Sequence, residues 1–287
     1  MSNSRLSRVL ALVLFAAGMS FCEEGWIVRN DSRGIQDVVW TGSRYVAVGW
    51  RGLLLTSQDG KTWDEKPALT NDHLSRLAWN GTRMVAISSR AIHTSEDGLN
   101  WNTRALPAEN LYDLVWTGKE FVTVGAQGHV YYSADALQWD SISCGIDADL
   151  DGITWNDSLL VVSDFSQGVI ASSKDHKNWA VRATGRGRLV DIRWTGAEYV
   201  AIGADDRLEF SRDLMFWSPG STPAATRLPS LVWTGSRILS PNWRDSGECF
   251  QWEATSGSSG SWKIVKTGGR EGVVSLRVHG DRVFGVG

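Results

Sequence analysis

The sequence predicts an all-β fold, a seven-bladed β-propeller built from four-stranded antiparallel blades. The first observation is a Trp that recurs every 37 to 39 residues, at Trp40, Trp79, Trp116, Trp155, Trp194 and Trp233. The second is another Trp in each repeat, six residues after a Ser, and the third is apolar alternation between the two. Such a period is typical of propeller blades, which are predicted to start near residues 37, 76, 113, 152, 191, 230 and 275.

The first repeat, residues 37–66, supplies the template for a blade. Apolar alternation predicts strands at Asp37–Trp40, Tyr45–Gly49, Leu53–Ser57 and Thr62–Lys66. The turn T-G-S-R at 41–44 joins the first two strands, and similar turns recur in the other repeats. Gly and Asn in these turns supply the positive φ angles that a tight hairpin needs.

Trp26 is predicted to close the ring, because it lies ahead of the first blade in a strand-like segment, GWIVRN. An N-terminal strand that joins the last blade would remove free sheet edges. The last repeat, Ser275–Gly287, supplies only two strands, so either the chain is shortened there or the blade is incomplete. Residues 10–20 could fill the gap, but their composition favours another role.

Residues 1–20 have the composition of a secretory signal peptide. Two arginines precede the apolar run Val9–Gly18, and small residues follow it. The run is short for a membrane span, and an uncleaved anchor is the alternative. Lipidation of Cys22 is less favoured, because Phe21 stands where lipoprotein signals have a small residue. We therefore expect a secreted or periplasmic protein with a single propeller domain over 24–287 and no membrane span after cleavage.

The charge balance argues against a nucleic-acid surface, since the net charge is −3 and the pI is about 6.0. Of the 29 cationic side chains 22 are Arg, which favours planar, bidentate contacts. The three cysteines form no disulfide framework, and Cys144 and Cys249 are predicted to be buried thiols. The five histidines lack metal-ligand spacing, so no metal and no cofactor is predicted.

The turns between the third and fourth strands share a motif of Ser, Asp and Trp, as in SQDGKTW at 57–63. Five copies stand in register: Ser57, Asp59, Trp63; Ser95, Asp97, Trp101; Ser133, Asp135, Trp139; Ser173, Asp175, Trp179; and Ser211, Asp213, Trp217. The motif resembles the Asp-box, or BNR, repeat. The chain is most similar to the seven-bladed photosystem II stability and assembly factor-like propellers, with a more distant resemblance to sialidases.

The resemblance implies that the boxes are folding elements, because Asp and Ser accept N–H bonds within the turn and Trp packs the turn down. One residue is missing relative to the commonest sialidase box, and Gly is retained only at Gly60 and Gly98. The sixth copy, SGSSGSW, has Ser258 in place of Asp. The resemblance is specific for the fold and weakly specific for activity.

One end of the propeller is the predicted binding face, because the loops after the second and fourth strands of every blade meet there. Two Trp residues outside the repeat pattern fall in these loops, each followed by Arg, and such residues are enriched at binding hot spots. The predicted binding residues are Trp50, Arg51, Arg90, Arg186, Arg188, Arg227, Trp243, Arg244 and Arg270. Bracing of the loops by these side chains is the alternative interpretation. The third off-pattern residue, Trp252, is predicted to lie in the core.

These observations favour a non-catalytic, monomeric propeller that binds a protein or an acidic peptide in an assembly or scaffolding role. The alternative is a carbohydrate-binding or sialidase-like glycoside hydrolase. The Arg-Ile-Pro signature of sialidases and the usual nucleophile motifs are absent, so no catalytic residue is predicted. The candidates for a pair of catalytic carboxylates are Asp37, Asp113 and Asp191, each three residues before a first-strand Trp.

Overall fold

The structure is a computed structural model of the 287-residue chain. It describes residues 12–13, 26–27, 34–105, 110–183, 187–203, 205–220, 228–241, 248–256, 259–266, 275–279 and 282–286. Within these ranges every regular element is a strand or a short 3-10 turn, so the all-β prediction is confirmed. None of these segments forms a helix long and apolar enough to cross a membrane.

Six sheets have four strands each, and consecutive strands pair antiparallel in chain order. Two short strands come first, β1 (Leu12–Val13) and β2 (Trp26–Ile27). Blade 1 contains β3 (Ile35–Trp40), β4 (Tyr45–Gly49), β5 (Leu54–Ser57) and β6 (Asp64–Lys66), and blade 2 contains β7 (Leu74–Trp79), β8 (Met84–Ser88), β9 (Ala91–Ser95) and β10 (Asn102–Ala105). Blade 3 contains β11 (Leu111–Trp116), β12 (Phe121–Gly125), β13 (His129–Ser133) and β14 (Asp140–Ser143), and blade 4 contains β15 (Leu150–Trp155), β16 (Leu160–Asp164), β17 (Val169–Ser173) and β18 (Ala180–Ala183). Blade 5 contains β19 (Leu189–Trp194), β20 (Tyr199–Gly203), β21 (Leu208–Ser211) and β22 (Ser218–Pro219), and blade 6 contains β23 (Val232–Trp233), β24 (Ile238–Pro241), β25 (Glu248–Ser256) and β26 (Ser259–Lys266).

The prediction of seven four-stranded blades is wrong, because the described residues form six. The last repeat supplies only β27 (Ser275–His279) and β28 (Arg282–Val286), which pair as a two-stranded sheet. The predicted closing strand, β2, pairs with β1 in a second two-stranded sheet, and this sheet contacts the last repeat through β1 and β28. The physical reason is that the seventh repeat has apolar alternation for two strands, whereas each complete repeat has it for four.

The sheet of β27 and β28 lies between blade 6 and blade 1, because β27 contacts β24 on one side and β3 on the other. Elsewhere the first strands of consecutive blades lie next to each other, β3 beside β7, β7 beside β11, β11 beside β15 and β15 beside β19. These first strands form the wall of a central channel. Each blade extends outwards from its first strand to its fourth.

Apolar side chains of adjoining blades form the core. The second strands are buried over their whole length, as in Tyr45–Gly49, because a neighbouring blade covers each side. In blades 1, 3 and 5 the first Trp of the repeat packs on the aromatic residue that begins the second strand. The ring centroids of Trp40 and Tyr45 are 4.3 Å apart, and those of Trp116 and Phe121 are 4.6 Å apart. These Trp residues therefore carry much of the contact that makes a blade.

Three further predictions about buried side chains are confirmed. Trp252 is buried on the third strand of blade 6, where it packs against Trp262 and Phe210. Cys144 and Cys249 are buried thiols.

A β-bulge interrupts the first strand of blades 1 to 5 at the same place. In blade 1 Ile35 pairs with Gly49 and Asp37 pairs with Val48, so Gln36 is the extra residue. The same shift occurs between Leu74 and Arg76, Leu111 and Asp113, Leu150 and Gly152, and Leu189 and Asp191. A bulge takes backbone groups out of the ladder and re-aims the next side chain. The residue after each bulge consequently lies at the channel wall.

Candidate binding face and channel wall

The propeller has two faces. The loop face is formed by the loops that follow the second and fourth strands of each blade, and the box face is formed by the turns after the first and third strands. On the loop face the N–H of Arg51 donates to His73 Nδ1 at 3.1 Å. On the box face Arg83 Nη2 lies 2.6 Å from Glu96 Oε1. The predicted binding residues that the structure describes all belong to the loop face.

Trp50 is a rigid aromatic platform on the loop face. One side of its indole lies on Gly34, where an added Cβ would come within 2.5 Å of the ring. Gly34 has a φ of 62°, and its carbonyl accepts the N–H of Trp50 at 3.1 Å. The centroid of the His73 ring lies 5.9 Å from that of the indole. The side chain is nevertheless 53% exposed, so a large apolar surface is both fixed and open to solvent.

Arg51 follows in a short 3-10 turn, Trp50–Gly52, and has the left-handed angles φ 53° and ψ 42°. Such angles are unfavourable for a residue with a Cβ. The hydrogen bond from its N–H to His73 offsets part of this cost. The side chain of Arg51 is exposed, and backbone hydrogen bonds hold the turn on both sides of it.

Blade 3 builds the same turn without an aromatic residue. Ala126 takes the place of Trp50, and Gln127, with a φ of 57°, takes the place of Arg51. The N–H of Gln127 donates to Asp149 Oδ1 at 3.2 Å, as that of Arg51 does to His73. Asn110, with a φ of 64°, stands where blade 1 has Gly34. The turn itself consequently requires neither Trp nor Arg.

The other predicted binding residues divide into two groups. Arg90 and Arg188 are exposed on the loop face, and the guanidinium of Arg188 lies 4.3 Å from the centroid of the Phe165 ring, a cation–π contact. The remaining residues lie outside the described ranges: Arg186, Arg227, Trp243, Arg244 and Arg270.

The loop face is acidic where blades 3 and 4 meet. The hydroxyl of Tyr112 donates to Asp149 Oδ2 at 2.9 Å, and burial together with this carboxylate raises the pKa of Tyr112 to about 12. Burial, and then the charges of Asp164 and Asp149, raise the pKa of Asp151 above its usual value. The loop face is therefore mixed in charge: exposed arginines lie at blades 1, 2 and 5 beside the acids Asp72 and Asp205, and acids cluster where blades 3 and 4 meet.

Three aspartates of the channel wall, in blades 1, 3 and 5, accept hydrogen bonds from two neighbouring blades each. We call these paired bonds the aspartate staples. Asp37 Oδ1 accepts the N–H of Val38, and Oδ2 accepts the N–H of Leu77 in the next blade, both at 2.8 Å. The same two bonds join Asp113 to Leu114 and Ile153, and Asp191 to Ile192 and Leu231. Each carboxylate thus satisfies one N–H beside the bulge in its own blade and one in the next, which are otherwise costly to bury.

Three arginines face these carboxylates. Arg277 Nε lies 2.7 Å from Asp37 Oδ1, Arg76 Nε 2.8 Å from Asp113 Oδ1, and Arg193 Nε 3.2 Å from Asp191 Oδ1. Arg193 also reaches Asp113 Oδ2 at 3.7 Å and donates to the carbonyl of Ile153 at 3.1 Å. Arg76 joins blade 2 to blade 3, and Arg277 ties β27 to blade 1. Arg193 pairs with Asp191 of its own blade and reaches blades 3 and 4 through Asp113 and Ile153.

The pKa values of the wall carboxylates differ in direction. Burial acts to raise the pKa of Asp113, but the guanidinium groups of Arg76, Arg193 and Arg277 prevail and hold it below its usual value. For Asp191 burial prevails over Arg193 and raises the pKa. The hypothesis that these acids form a glycosidase pair needs carboxyl groups open to a substrate. Here each carboxylate is buried, bonded to two N–H groups and paired with Arg.

Sequence reasoning missed the roles of Arg193 and Arg277. Each directly precedes the first-strand Trp position, occupied by Trp194 in one repeat and by Val278 in the other. Most repeats have an apolar residue at this position, so a cation there is a signal that could have placed Arg193 and Arg277 at the wall. Among the described residues no group of three His, Cys, Asp or Glu side chains is arranged to hold a metal ion.

The five boxes have one geometry. Asp59 Oδ1 accepts the N–H groups of Lys61 and Thr62 at 2.7 Å and the hydroxyl of Ser57 at 3.1 Å. Corresponding bonds occur at Asp97, Asp135, Asp175 and Asp213. The N–H of Thr62 and then that of Lys61 lower the pKa of Asp59 to about 2. The acid is therefore ionised and held by the turn.

Comparison with known proteins supports the fold and goes no further. No family model matches the chain, and no curated protein matches it. The structure of YCF48 from Cyanidioschyzon merolae has a TM-score of 0.68 at 14% identity, over 88% of this chain and 94% of that one. A structure described as YCF48 bound to D1 peptide has a TM-score of 0.74 at 12% identity, over 99% and 96%. The WD40 repeats of RRP9 also reach 0.74, at 11% identity, over 96% and 92%.

This chain is a β-propeller similar in fold to YCF48. Identities this low show the fold alone, and propellers of the WD40 class match as well as YCF48 does. The Asp-box resemblance stays a prediction.

Proposed function

We propose that the chain is a non-catalytic propeller that binds a protein or peptide through its loop face, in an assembly or scaffolding role. The observation that carries the proposal is Trp50, which is 53% exposed on a turn that blade 3 builds with Ala126. A rigid aromatic ring loses little conformational entropy on binding, and Trp beside Arg is a frequent hot-spot pair. The similar structure described as YCF48 bound to D1 peptide supports peptide recognition by a propeller of this shape.

We infer that the bound segment is acidic where it meets blades 1, 2 and 5. Arg51 and Arg188 are exposed on that part of the loop face, where Asp72 is exposed as well and Asp205 pairs with Arg207, and Asp149 is exposed where blades 3 and 4 meet. Charge-assisted hydrogen bonds between guanidinium and carboxylate groups are worth roughly 1.5–3 kcal/mol each when solvent is excluded.

Secretion or periplasmic location is proposed from the composition of residues 1–20, and a monomeric state accompanies it. Mass spectrometry of the protein recovered from the cell envelope would show a mature chain that begins after residue 20. A chain that retains Met1 would contradict the signal peptide. Light scattering of the mature protein would report the oligomeric state.

The test of binding compares three immobilised proteins: wild type, Trp50→Ala and Phe216→Asn. Trp50→Ala gives blade 1 the residue that blade 3 has, and Phe216 lies on the opposite face. A partner from the envelope fraction should be retained by wild type and Phe216→Asn, and its affinity for Trp50→Ala, measured with the purified partner, should be about tenfold lower.

Equal affinity of that partner for wild type and Trp50→Ala would contradict the loop-face proposal. A glycan array probed in parallel addresses the carbohydrate alternative. Specific glycan binding that Trp50→Ala abolishes would replace the peptide proposal with a carbohydrate one.

A further inference from the structure

The turns after the second strands of blades 1, 3 and 5 have one feature in common. Each contains a residue with a left-handed φ, which is 53° for Arg51, 57° for Gln127 and 63° for Asp206. Each of these residues is hydrogen-bonded to the residue 22 positions later, in the loop that follows the fourth strand. The spacing is constant although the residues differ, so this link is a regular part of the turn.

The link of blade 1 differs from the other two in its acceptor. In blades 3 and 5 a carboxylate oxygen accepts the bond, that of Asp149 at 3.2 Å and that of Asp206 at 3.0 Å. In blade 1 the acceptor is Nδ1 of His73, which lies 3.1 Å from the backbone nitrogen of Arg51. A carboxylate remains an acceptor at neutral and mildly acidic pH, whereas an imidazole nitrogen stops accepting when it takes up a proton. Of the three links, only that of blade 1 is therefore lost between about pH 8 and about pH 5.

The bond also defines the state of His73. Because Nδ1 accepts an N–H, the ring is neutral and carries its proton on Nε2. The residue is exposed, so protons from the solvent reach it. Charged side chains of both signs lie near it in the described part of the chain: Asp72 precedes it, Arg51 is in the turn that it caps, and Arg90 is in the adjoining loop of blade 2. A proton added at Nδ1 would place two donors against each other, the ring N–H and the N–H of Arg51.

Loss of this bond removes the support of a strained residue. The left-handed φ of Arg51 is unfavourable for a residue with a Cβ, and the bond from its N–H to His73 offsets part of the cost. Trp50 adjoins Arg51 in the chain, so relaxation of this backbone moves the exposed indole as well as the guanidinium. The protonated ring, whose centroid lies 5.9 Å from that of the indole, still attracts the face of Trp50 as a cation, but it no longer holds the turn.

We propose that His73 is a pH-sensitive switch of the blade 1 turn. The neutral imidazole holds Trp50 and Arg51 in their exposed arrangement, and its protonation in mildly acidic solution releases the turn. The consequence for binding rests on the proposed function, because the partner is expected to contact these two side chains. The switch makes the affinity of the loop face for its partner depend on pH between about 5 and about 8.

The switch is tested without a partner by exchange of the backbone amide of Arg51, measured by NMR in the full chain at about pH 7.5 and about pH 5.5. The amide of Gln127, whose acceptor is Asp149, is the internal reference. After correction for the intrinsic pH dependence of exchange, the protection of Arg51 relative to Gln127 should fall about fivefold in acid, the effect expected from loss of one hydrogen bond.

The matched variant is His73→Asp, which gives blade 1 the acceptor that blade 3 has. Its protection ratio should change by less than about twofold between the two pH values, because the carboxylate stays an acceptor. A wild-type ratio that stays constant would overturn the proposal. An equal fall in His73→Asp would overturn it as well, because a group other than His73 would then release the turn.

Partner binding separates the switch from the proposed function. The affinity of the captured partner for wild type should be about fivefold lower at about pH 5.5 than at about pH 7.5. The fall should be smaller for His73→Asp, which serves as the control for the pH dependence of the partner itself. A shift in exchange with unchanged affinity would support the switch and contradict the role of Trp50 and Arg51 in binding. Lower affinity in acid with unchanged exchange would overturn the switch.

Discussion

Side chains of the channel wall are buried and bonded to each other, whereas the blade 1 turn, Trp50–Gly52, exposes Trp50 and Arg51 to solvent. At the wall each aspartate accepts two backbone N–H groups and faces an arginine, as Asp113 does with Arg76. Blade 3 builds the equivalent turn with Ala126 and Gln127 in place of Trp50 and Arg51. The fold accounts for the wall carboxylates through their bonds, but it does not require Trp50 and Arg51 in the blade 1 turn. The acids that look catalytic in the sequence are thus structural, and the less conspicuous turn is where binding is expected.

Removal of a wall carboxylate should have the largest effect on stability. Asp113→Ala leaves the N–H groups of Leu114 and Ile153 without their acceptor and Arg76 without its partner. We expect a loss of about 3–5 kcal/mol in the free energy of unfolding, the usual cost of breaking a buried pair. Urea unfolding at neutral pH measures it.

Asp140→Ala, at an exposed position of the edge strand β14, serves as the control and should change the free energy by less than about 0.5 kcal/mol. A comparable small loss in Asp113→Ala would show that the wall is not structural.

The equivalence of the blade 1 and blade 3 turns can be tested through their glycines. Gly52 and Gly128 have φ of 69° and 68°, and an added Cβ would lie 1.8 Å from the carbonyl oxygen of Thr70 and 1.9 Å from that of Ile146. Gly52→Ala and Gly128→Ala should each cost about 2–4 kcal/mol, because backbone has to shift in both. Thermal unfolding of the two variants checks this. A clear difference between them would mean that the turns are not built alike.

Gly34→Asn tests the position of the Trp50 ring while it leaves the backbone of the Trp50–Gly52 turn unchanged. Asn110 holds the same left-handed position in blade 3, so Asn is compatible with the backbone here. Its Cβ would displace the indole of Trp50. We expect a loss of stability of about 1 kcal/mol and a loss of partner affinity close to that of Trp50→Ala. Titration of the variant with the captured partner measures this affinity. Undiminished affinity would show that the position of the ring does not matter.

The smallest effect concerns the box carboxylates, which sit in solvent rather than in the wall. The folded-state pKa of Asp59 is lowered from 3.8 to about 2. A lowered pKa contributes stability that is present above 3.8 and is lost as the pH falls through about 2. Asp59→Asn should therefore melt slightly below wild type at neutral pH, and the two melting curves should converge near pH 2. A gap that persists in acid would assign the effect to shape rather than charge.

The sequence period was sufficient to predict the blades, their strand order and the loops that share a face. In blade 1 the strand Tyr45–Gly49 was predicted with its observed bounds, and Leu54–Ser57 within one residue. Alternation and turn residues are local signals, so they survive without knowledge of the tertiary structure. The number of four-stranded blades was predicted wrongly, although the last repeat shows the pattern of only two strands in the sequence.

The candidate site was predictable in part. The departure of Trp50 from the repeat was visible, whereas its support by Gly34 requires the register of two strands. The role of Asp37 was missed for a similar reason. Its second bond goes to Leu77, 40 positions away, and arises only because bulges in adjoining blades line up. Contacts of this kind follow from the curvature of the ring and not from the spacing of residues.

The aspartate staples make the inner wall repeat once every two blades, although the strands repeat once per blade. Asp37, Asp113 and Asp191 join blades 1 to 2, 3 to 4 and 5 to 6. The elementary module of the ring is accordingly a tandem of blades held by one shared carboxylate. Deletion of a whole tandem should therefore be tolerated better than deletion of one of its blades, since only the second leaves an acid without an amide that it serves.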